Sequence, residues 1–174
     1  MFAIDTSFSH ATRPKSRSSL IAAMLSFNSE TSNMHVGDAG ERLAISLLQD
    51  AGYKAYKPEA SHAGDVHAVC RATGELFKVE VKTSTWSEKH RRWQFCLKKP
   101  RHTDCQHSDY ILFILIEKNR VFTYLVPSDF LAGISQFAIR TRPENYHGRI
   151  AAFFNRGALS FQAACNVSEL AKLQ

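Results

Sequence analysis

The most informative stretch of the sequence is Lys78-Val79-Glu80-Val81-Lys82, which follows Gly64-Asp65-Val66 in the chain. Side chains alternate between the two faces of a β-strand. Glu80 and Lys82 therefore share one face of this strand, and the valines share the other. A carboxylate and an ammonium held together within an apolar strand indicate a role in chemistry or binding.

The strand that carries Glu80 is expected to pair with the strand that begins at Asp65, through a turn near Gly74. If that turn holds an even number of residues, His67 lies opposite Glu80 and Asp65 lies opposite Lys82. These four side chains then share one face. Directly opposed residues have Cβ atoms about 5 Å apart, so both carboxylates could reach one cation beside the ammonium.

Local sequence patterns predict helices and strands in an order that favours an α/β or α+β domain with a mixed central β-sheet. Asp38 is expected to cap the first helix and Gly52 to end it. The predicted strands are 53–56, 65–70, 76–83, 93–97, 110–116 and 121–126, and further helices are expected after Ser128 and near 168–173. Residues 1–33 are rich in Ser and Thr and are expected to form a flexible extension. Residues 34–174 are expected to form a single domain.

The composition favours a protein that binds a polyanion. The 22 Lys and Arg residues exceed the 16 Asp and Glu residues, giving a formal net charge of +6. No apolar stretch approaches the length of about 20 residues that spans a bilayer, so a membrane protein is not expected. The four cysteines form no Cys-x-x-Cys pair, which suits reduced thiols in a cytoplasmic protein.

Two carboxylates and a lysine suit the hydrolysis of phosphodiesters. One or two carboxylates, with water and phosphate oxygens, are the usual ligands of Mg²⁺. Lys82 could orient or deprotonate the attacking water, or neutralise the developing negative charge. Glu41 lies on the helix face shared by Ile45 and Leu48, from which it could help to hold the cation.

Simpler interpretations remain open from the residues alone. Glu41 follows Asp38 by three residues, so it could be the partner in a capping box. Asp65 could end a turn, and Glu80 with Lys82 could be a solvated strand face. His67 is expected to be a neighbour of the site rather than a ligand.

The sequence resembles the PD-(D/E)XK nuclease superfamily over roughly residues 36–130. The segments that carry the resemblance are Gly37-Asp38-Ala39-Gly40-Glu41-Arg42, Gly64-Asp65-Val66 and Val79-Glu80-Val81-Lys82-Thr83-Ser84, in the order helix, strand, strand. The later segments 108–113 and 121–127 look like those of group I intron homing endonucleases. The first half is also similar to Holliday junction resolvases. Gly64 stands where the superfamily often has proline.

The resemblance implies a restriction-endonuclease-like core and a metal-dependent DNA endonuclease. It implies that Asp65 and Glu80 bind the metal, that Lys82 is the catalytic lysine and that Glu41 is the helix carboxylate. Mg²⁺ is the expected cofactor, and Mn²⁺ is expected to substitute. The alternatives are a structure-specific Holliday junction resolvase and a catalytically silent DNA-binding or inhibitor protein on the same fold. A homodimer suits cuts on two antiparallel DNA strands.

A cluster of basic residues is expected to bind double-stranded or branched DNA. Its members, interleaved with aromatic residues, are Lys89, Arg91, Arg92, Lys98, Lys99 and Arg101. Contacts of lysine and arginine with phosphate supply affinity that does not depend on base sequence and that falls as salt rises. Alternatively, Trp93, Phe95 and Leu97 are the buried side of a strand and the charges its solvated side. The polar segment 102–107 is expected to be a loop rather than a zinc site.

Overall fold

The computed structural model describes residues 33–59, 64–97, 108–118, 120–155 and 159–172. The helices and strands, in chain order, are α1 (Asn33–Asp50), β1 (Tyr53–Tyr56), β2 (Val66–Cys70), β3 (Leu76–Thr85), β4 (Trp93–Cys96), β5 (Tyr110–Glu117), β6 (Arg120–Pro127), β7 (Gln136–Ile139) and α2 (Phe161–Lys172). The six predicted strands are confirmed, with boundaries that differ by one or two residues.

The main sheet has five strands in the order β1-β2-β3-β5-β6. β3 and β5 are parallel, and every other neighbouring pair in this sheet is antiparallel. β4 and β7 form a separate antiparallel sheet of two strands. The architecture is the mixed sheet with flanking helices that the sequence predicts.

One face of the main sheet packs against the two long helices. Leu43, Ala44 and Leu48 of α1 are fully buried, as are Val66 and Val79 of the sheet. The start of α2 seals the other part of this face through a cluster of aromatic rings. The ring of Phe161 lies 4.2 to 4.9 Å, centroid to centroid, from those of Phe77, Tyr110 and Tyr53.

The opposite face of the main sheet is divided between the small sheet and an open part. Phe113 of β5 packs against Phe95 of β4 and Phe137 of β7, each at a centroid distance of 5.0 Å. Trp93 of β4 packs against Phe122 of β6 at 6.2 Å. The small sheet thus covers the β5 and β6 side of this face. Glu80 and Lys82 lie on the same face at its boundary, because β3 pairs directly with β5.

Helix α1 begins earlier than the sequence predicts. It starts at Asn33, so Asp38 and Glu41 lie within the helix. The predicted cap at Asp38 is therefore wrong, and so is the interpretation of Glu41 as a capping-box partner. Gly40, within this helix, packs closely on β3, where a Cβ would overlap Thr83 Oγ1. Glycine weakens a helix locally, but close packing on β3 requires it at Gly40. The predicted end is confirmed, with Gly52 at φ +93°.

The region after β6 differs most from the prediction. In place of a helix after Ser128 the chain forms one 3-10 turn, Ser128–Leu131, and Gly133 adopts φ +81° before β7. β7 was not predicted because only four residues form it, and its place is set by pairing with β4. The C-terminal helix begins at Phe161, earlier than expected, where Ser160 Oγ accepts a hydrogen bond from Ala163 N at 3.2 Å.

The predicted N-terminal extension, residues 1–33, lies outside the described residues except for Asn33. None of the helices in the described part of the chain is both long and apolar enough to cross a bilayer.

Candidate metal and nuclease site

Asp65 is fixed beside β3 by its backbone and its side chain. Its N–H donates to Val79 O at 3.0 Å, and its Oδ2 accepts from Val81 N at 2.8 Å. β2 begins only at Val66, so Val81 N has no strand partner on that side and the carboxylate takes that place. Asp65 thus ends the β2–β3 pairing and lies at the middle of β3.

Gly64 makes this placement of Asp65 feasible. Its φ is +85°, a conformation that L side chains rarely adopt, and a Cβ there would lie 3.2 Å from the backbone of Val79. Proline, whose ring holds φ near −65°, cannot occupy this position without moving the backbone. The glycine in place of the superfamily's frequent proline is therefore required by this chain's geometry.

The side chains of Glu80 and Lys82 form an ion pair on β3, through Lys82 Nζ and Glu80 Oε1. The side chain of Lys82 is 23% exposed and that of Glu80 is 30% exposed. Both are thus sheltered while remaining open to a ligand. Val79 and Val81, on the other face, are buried as the sequence predicts.

The pairing of β2 with β3 is shifted by two residues from the predicted register. His67 lies opposite Lys78, whereas the sequence analysis places it opposite Glu80. The predicted pairing of Asp65 with Lys82 is also wrong, because Asp65 precedes β2 and its N–H donates to Val79 O. The cause of the shift is the turn, which closes with a hydrogen bond of 2.8 Å from Cys70 N to Glu75 O. The turn between these residues is still of even length, so the predicted face is retained.

Glu41 lies on helix α1, close enough to Asp65 for its charge to act on that carboxylate. Its neighbour Gly40 packs directly on Thr83 of β3, which brings this part of the helix to the strand that carries Glu80 and Lys82. The Glu41 side chain is 18% exposed, and its Oε2 lies 2.6 Å from Lys57 Nζ. Lys57 follows β1 directly, so the end of β1 also faces the site.

The charges of these groups act on one another. Burial raises the pKa of Asp65, and the Glu80 and Glu41 carboxylates raise it further, against the hydrogen bond from Val81 N and the charge of Lys82. The Glu41 carboxylate raises the pKa of Lys57, with smaller contributions from Asp38 and Asp65. Three carboxylates from α1, β3 and the start of β2 therefore form one electrostatic cluster, partly neutralised by two lysines.

The donor atoms of this cluster fit a hard divalent cation. Carboxylate oxygens are the ligands that Mg²⁺ and Mn²⁺ take in proteins, with water completing the shell. The mutual repulsion that raises the pKa of Asp65 would be relieved by such a cation. Within the described ranges, no group of three or more His, Cys, Asp or Glu side chains already stands in the arrangement of a metal site. The lysines that hold Glu80 and Glu41 would have to give way in part.

The residues predicted to bind DNA are only partly described. Lys89 and Arg91 are exposed in the turn between Ser87 and Arg92, which form an isolated bridge. Lys98, Lys99 and Arg101 lie outside the described residues, as does the segment 102–107. The aromatic residues of this segment belong to the core: Trp93 is 1% exposed and donates from Nε1 to Ile116 O at 3.0 Å. Phe95 is similarly buried.

Lys57 is a member of the site that the sequence does not predict. Tyr56 pairs with His67 in the structure, so the residue after β1 lies beside the start of β2. Asp109 and Tyr124 prove to be structural. Asp109 Oδ2 accepts from Lys78 N at 2.8 Å, and the buried Tyr124 donates to Pro143 O at 3.1 Å.

Comparison with known proteins gives a fold and no sequence family. No family model matches the chain, and no curated protein matches it. Among solved structures, the bacterial homing endonuclease I-Ssp6803I matches over 82% of this chain and 99% of its own, with a TM-score of 0.59 and 20% identity. The chain shares the fold of this homing endonuclease. The match spans nearly the whole length of the homing endonuclease.

A second solved structure among the matches is the Holliday junction resolvase Hjc of Archaeoglobus fulgidus. It covers 59% of this chain and 82% of the resolvase, with a TM-score of 0.39 and 16% identity.

Proposed function

We propose that this chain is a metal-dependent DNA endonuclease that hydrolyses phosphodiester bonds. The observation that carries the proposal is the position of Asp65 beside the middle of β3, where the charges of Glu80, Glu41 and Lys82 all act on it, in a chain that shares its fold with a homing endonuclease. If Glu80 and Lys82 were only a solvated strand face, neither the Glu41 carboxylate of helix α1 nor the half-buried Asp65 at the end of the strand pair would be needed beside them.

Asp65, Glu80 and Glu41 would hold the divalent cation, with Mg²⁺ as the expected ion and Mn²⁺ as its substitute. A bound cation of this kind neutralises charge that develops on the phosphate oxygens. The hydrogen bond from Val81 N fixes Asp65 Oδ2 and thereby orients the other carboxylate oxygen. This orientation is set before any ligand arrives, because it is part of the strand pairing.

Lys82 would serve the attacking water. In hydrolysis the water oxygen bonds to phosphorus, a P–O ester bond breaks, and a proton leaves the water while the leaving oxygen gains one. The ammonium of Lys82 is held at Glu80, so its position relative to the cation's ligands is fixed by two residues of one strand. From there it can orient the water or donate to a phosphate oxygen.

We further infer that the active form is a two-fold dimer on duplex or branched DNA, since antiparallel strands present two equivalent phosphates. A panel of linear duplex, supercoiled plasmid, single-stranded and four-way-junction DNA, each with Mg²⁺ or with EDTA, tests the function. We expect cleavage that requires the metal and that Glu80→Gln abolishes. Preference within the panel separates a site-specific nuclease from a junction resolvase. Absence of metal-dependent cleavage of every substrate would favour the silent DNA-binding alternative.

A further inference from the structure

Part of the main sheet, beside the candidate site, carries side chains that are exposed or half-buried within the described part of the chain. Tyr56, His67 and Lys78 form one row across β1, β2 and β3, and Lys54, Val69 and Leu76 form the next. Tyr56 is 41% exposed and Leu76 is 42% exposed. Among the described residues, these two are the large hydrophobic side chains that solvent reaches most. We call these two rows the open face.

The open face is continuous with the candidate site. Glu80 follows Lys78 on the same face of β3, and Asp65, directly before β2, bonds to Val79 and Val81 on either side of Glu80. Lys78 and Glu80 are two residues apart on β3, which is about 7 Å along a strand. On the other side of Glu80 and Lys82 the small sheet rises over β5 and forms a wall. A ligand at the site is thus guided along the open face.

The charge of the open face suits a polyanion. Lys54 and Lys78 project from it, and Lys57 lies at its edge beside Asp65. Glu80 is the only acidic residue in the sequences of β1, β2 and β3. Because Glu80 is assigned to the cation, these strands offer no other carboxylate to repel phosphate.

We propose that the open face binds the DNA backbone that flanks the cleaved phosphate, with Lys54 and Lys78 contacting phosphates. The proposal rests on the function proposed above and names the surface that holds its substrate. The distance from Lys78 to Glu80 corresponds to about two nucleotides of rise along one strand of a duplex. Lys54 lies about 12 Å from Lys78, two strands across and one row further away. DNA would run from the site toward the β2–β3 turn.

A second copy of this chain is the alternative occupant of the open face. A two-fold contact through this surface would bring Lys54 and Lys78 of each copy toward the same residues of the other. Like charges that face each other across such a contact are destabilising. The charge of the face therefore favours DNA over self-association.

The test measures DNA binding by the double variant Lys54→Gln/Lys78→Gln under conditions without cleavage. The probe is a fluorescein-labelled duplex in Ca²⁺ or EDTA, titrated by anisotropy over a series of KCl concentrations. The control is Lys118→Gln/Arg142→Gln, which removes the same charge from two exposed positions near β6, away from the open face. Thermal melts confirm that both variants fold, and light scattering reports the oligomeric state.

We expect the Lys54/Lys78 variant to bind at least about tenfold more weakly and the slope of log affinity against log salt to fall by about 2, as for two lost phosphate contacts. The control variant should bind like the unmodified protein. Affinity and slope equal to those of the control would overturn the proposal, as would a loss of binding that accompanies dissociation of a dimer. If the open-face proposal fails but the protein still cuts DNA, the proposed function stands. A chain that neither binds nor cuts DNA would contradict both the proposed function and the open-face proposal.

Discussion

Asp65 and Asp109 make nearly the same contacts with strand β3 in very different surroundings. Each directly precedes a strand that flanks β3, Asp65 before β2 and Asp109 before β5. Each donates its N–H to a carbonyl of β3, and each accepts a β3 N–H on Oδ2 at 2.8 Å. Their roles in the backbone of the sheet are therefore equivalent.

The difference between the two lies in the groups around them. Asp109 is exposed, and its carbonyl accepts from Ser128 N at 3.0 Å. Asp65 is half-buried, and the charges of Glu80 and Glu41 raise its pKa beyond the effect of burial. A carboxylate that only ends a strand pair is stable when exposed, as Asp109 is. The burial of Asp65 among like charges indicates a further role, which we assign to the binding of a cation.

The largest expected effect is on cleavage by Asp65→Asn. The amide keeps an oxygen for Val81 N and removes the charge that a cation needs, so cleavage should be abolished. Asp109→Asn makes the same chemical change on the other side of β3 and should leave the rate near that of the unmodified protein. Single-turnover cleavage in Mg²⁺ measures both. Equal losses in the two variants would mean that Asp65 has only the structural role of Asp109.

The next effect concerns Lys82, which belongs to the surroundings of Asp65. Lys82→Ala should lower the single-turnover rate by about 10²- to 10⁴-fold, the usual range for an acid–base group, with little change in metal affinity. Lys82→Arg should restore little, because the wider guanidinium keeps its proton. Lys118→Ala, in the exposed turn between β5 and β6, is the control. A Lys82→Ala protein that cuts normally would leave Lys82 as no more than an ion-pair partner of Glu80.

A smaller effect is expected at Lys57, whose ammonium contacts Glu41. Lys57→Gln should raise the affinity for Mn²⁺ by about 2- to 5-fold, because an exposed ion pair competes only weakly. Lys54→Gln removes the same charge from the same segment without that contact and should change the affinity less. Calorimetric titration without DNA measures both. The larger gain in Mn²⁺ affinity from Lys57→Gln than from Lys54→Gln should disappear in a protein that already carries Glu41→Gln. If Lys57→Gln still raises the affinity more in that protein, competition for Glu41 is excluded.

The smallest effect is on stability. Because burial raises the pKa of folded Asp65, the charged carboxylate lowers stability at neutral pH. Asp65→Asn without metal should therefore raise the free energy of unfolding, by on the order of 1 kcal/mol. That gain should shrink as the pH falls through the raised pKa toward the ordinary value of 3.8. Thermal melts across pH measure the trend. Asp109→Asn should show no such gain, and destabilisation by Asp65→Asn at neutral pH would contradict the account.

The sequence predicts the parity of the β2–β3 pair and therefore the shared face of His67 and Glu80. It does not predict the register, because the turn closes at Cys70 and Glu75 through the geometry of Gly74, at φ +75°. Sequence alternation determines which face a side chain takes, whereas the position at which the turn closes determines which residues are opposite.

The remaining differences arise where distant segments decide the local structure. Gly40 of helix α1 is required by its packing on Thr83, far away in the chain. β7 exists because β4 pairs with it, and its four residues carry no periodicity long enough to recognise. Lys57 joins the site only once β1 is known to pair with β2. No pattern within these segments alone contains that information.

The central claim, that the surroundings of Asp65 form a cation site and those of Asp109 do not, is tested most directly by Mn²⁺ binding. Titration of the protein with Mn²⁺, followed by electron paramagnetic resonance of the free ion, counts bound cations without requiring DNA or catalysis. We predict that the unmodified chain and Asp109→Asn each bind the ion at a site that Asp65→Asn lacks. Equal Mn²⁺ binding by all three proteins, or by none, would contradict the account.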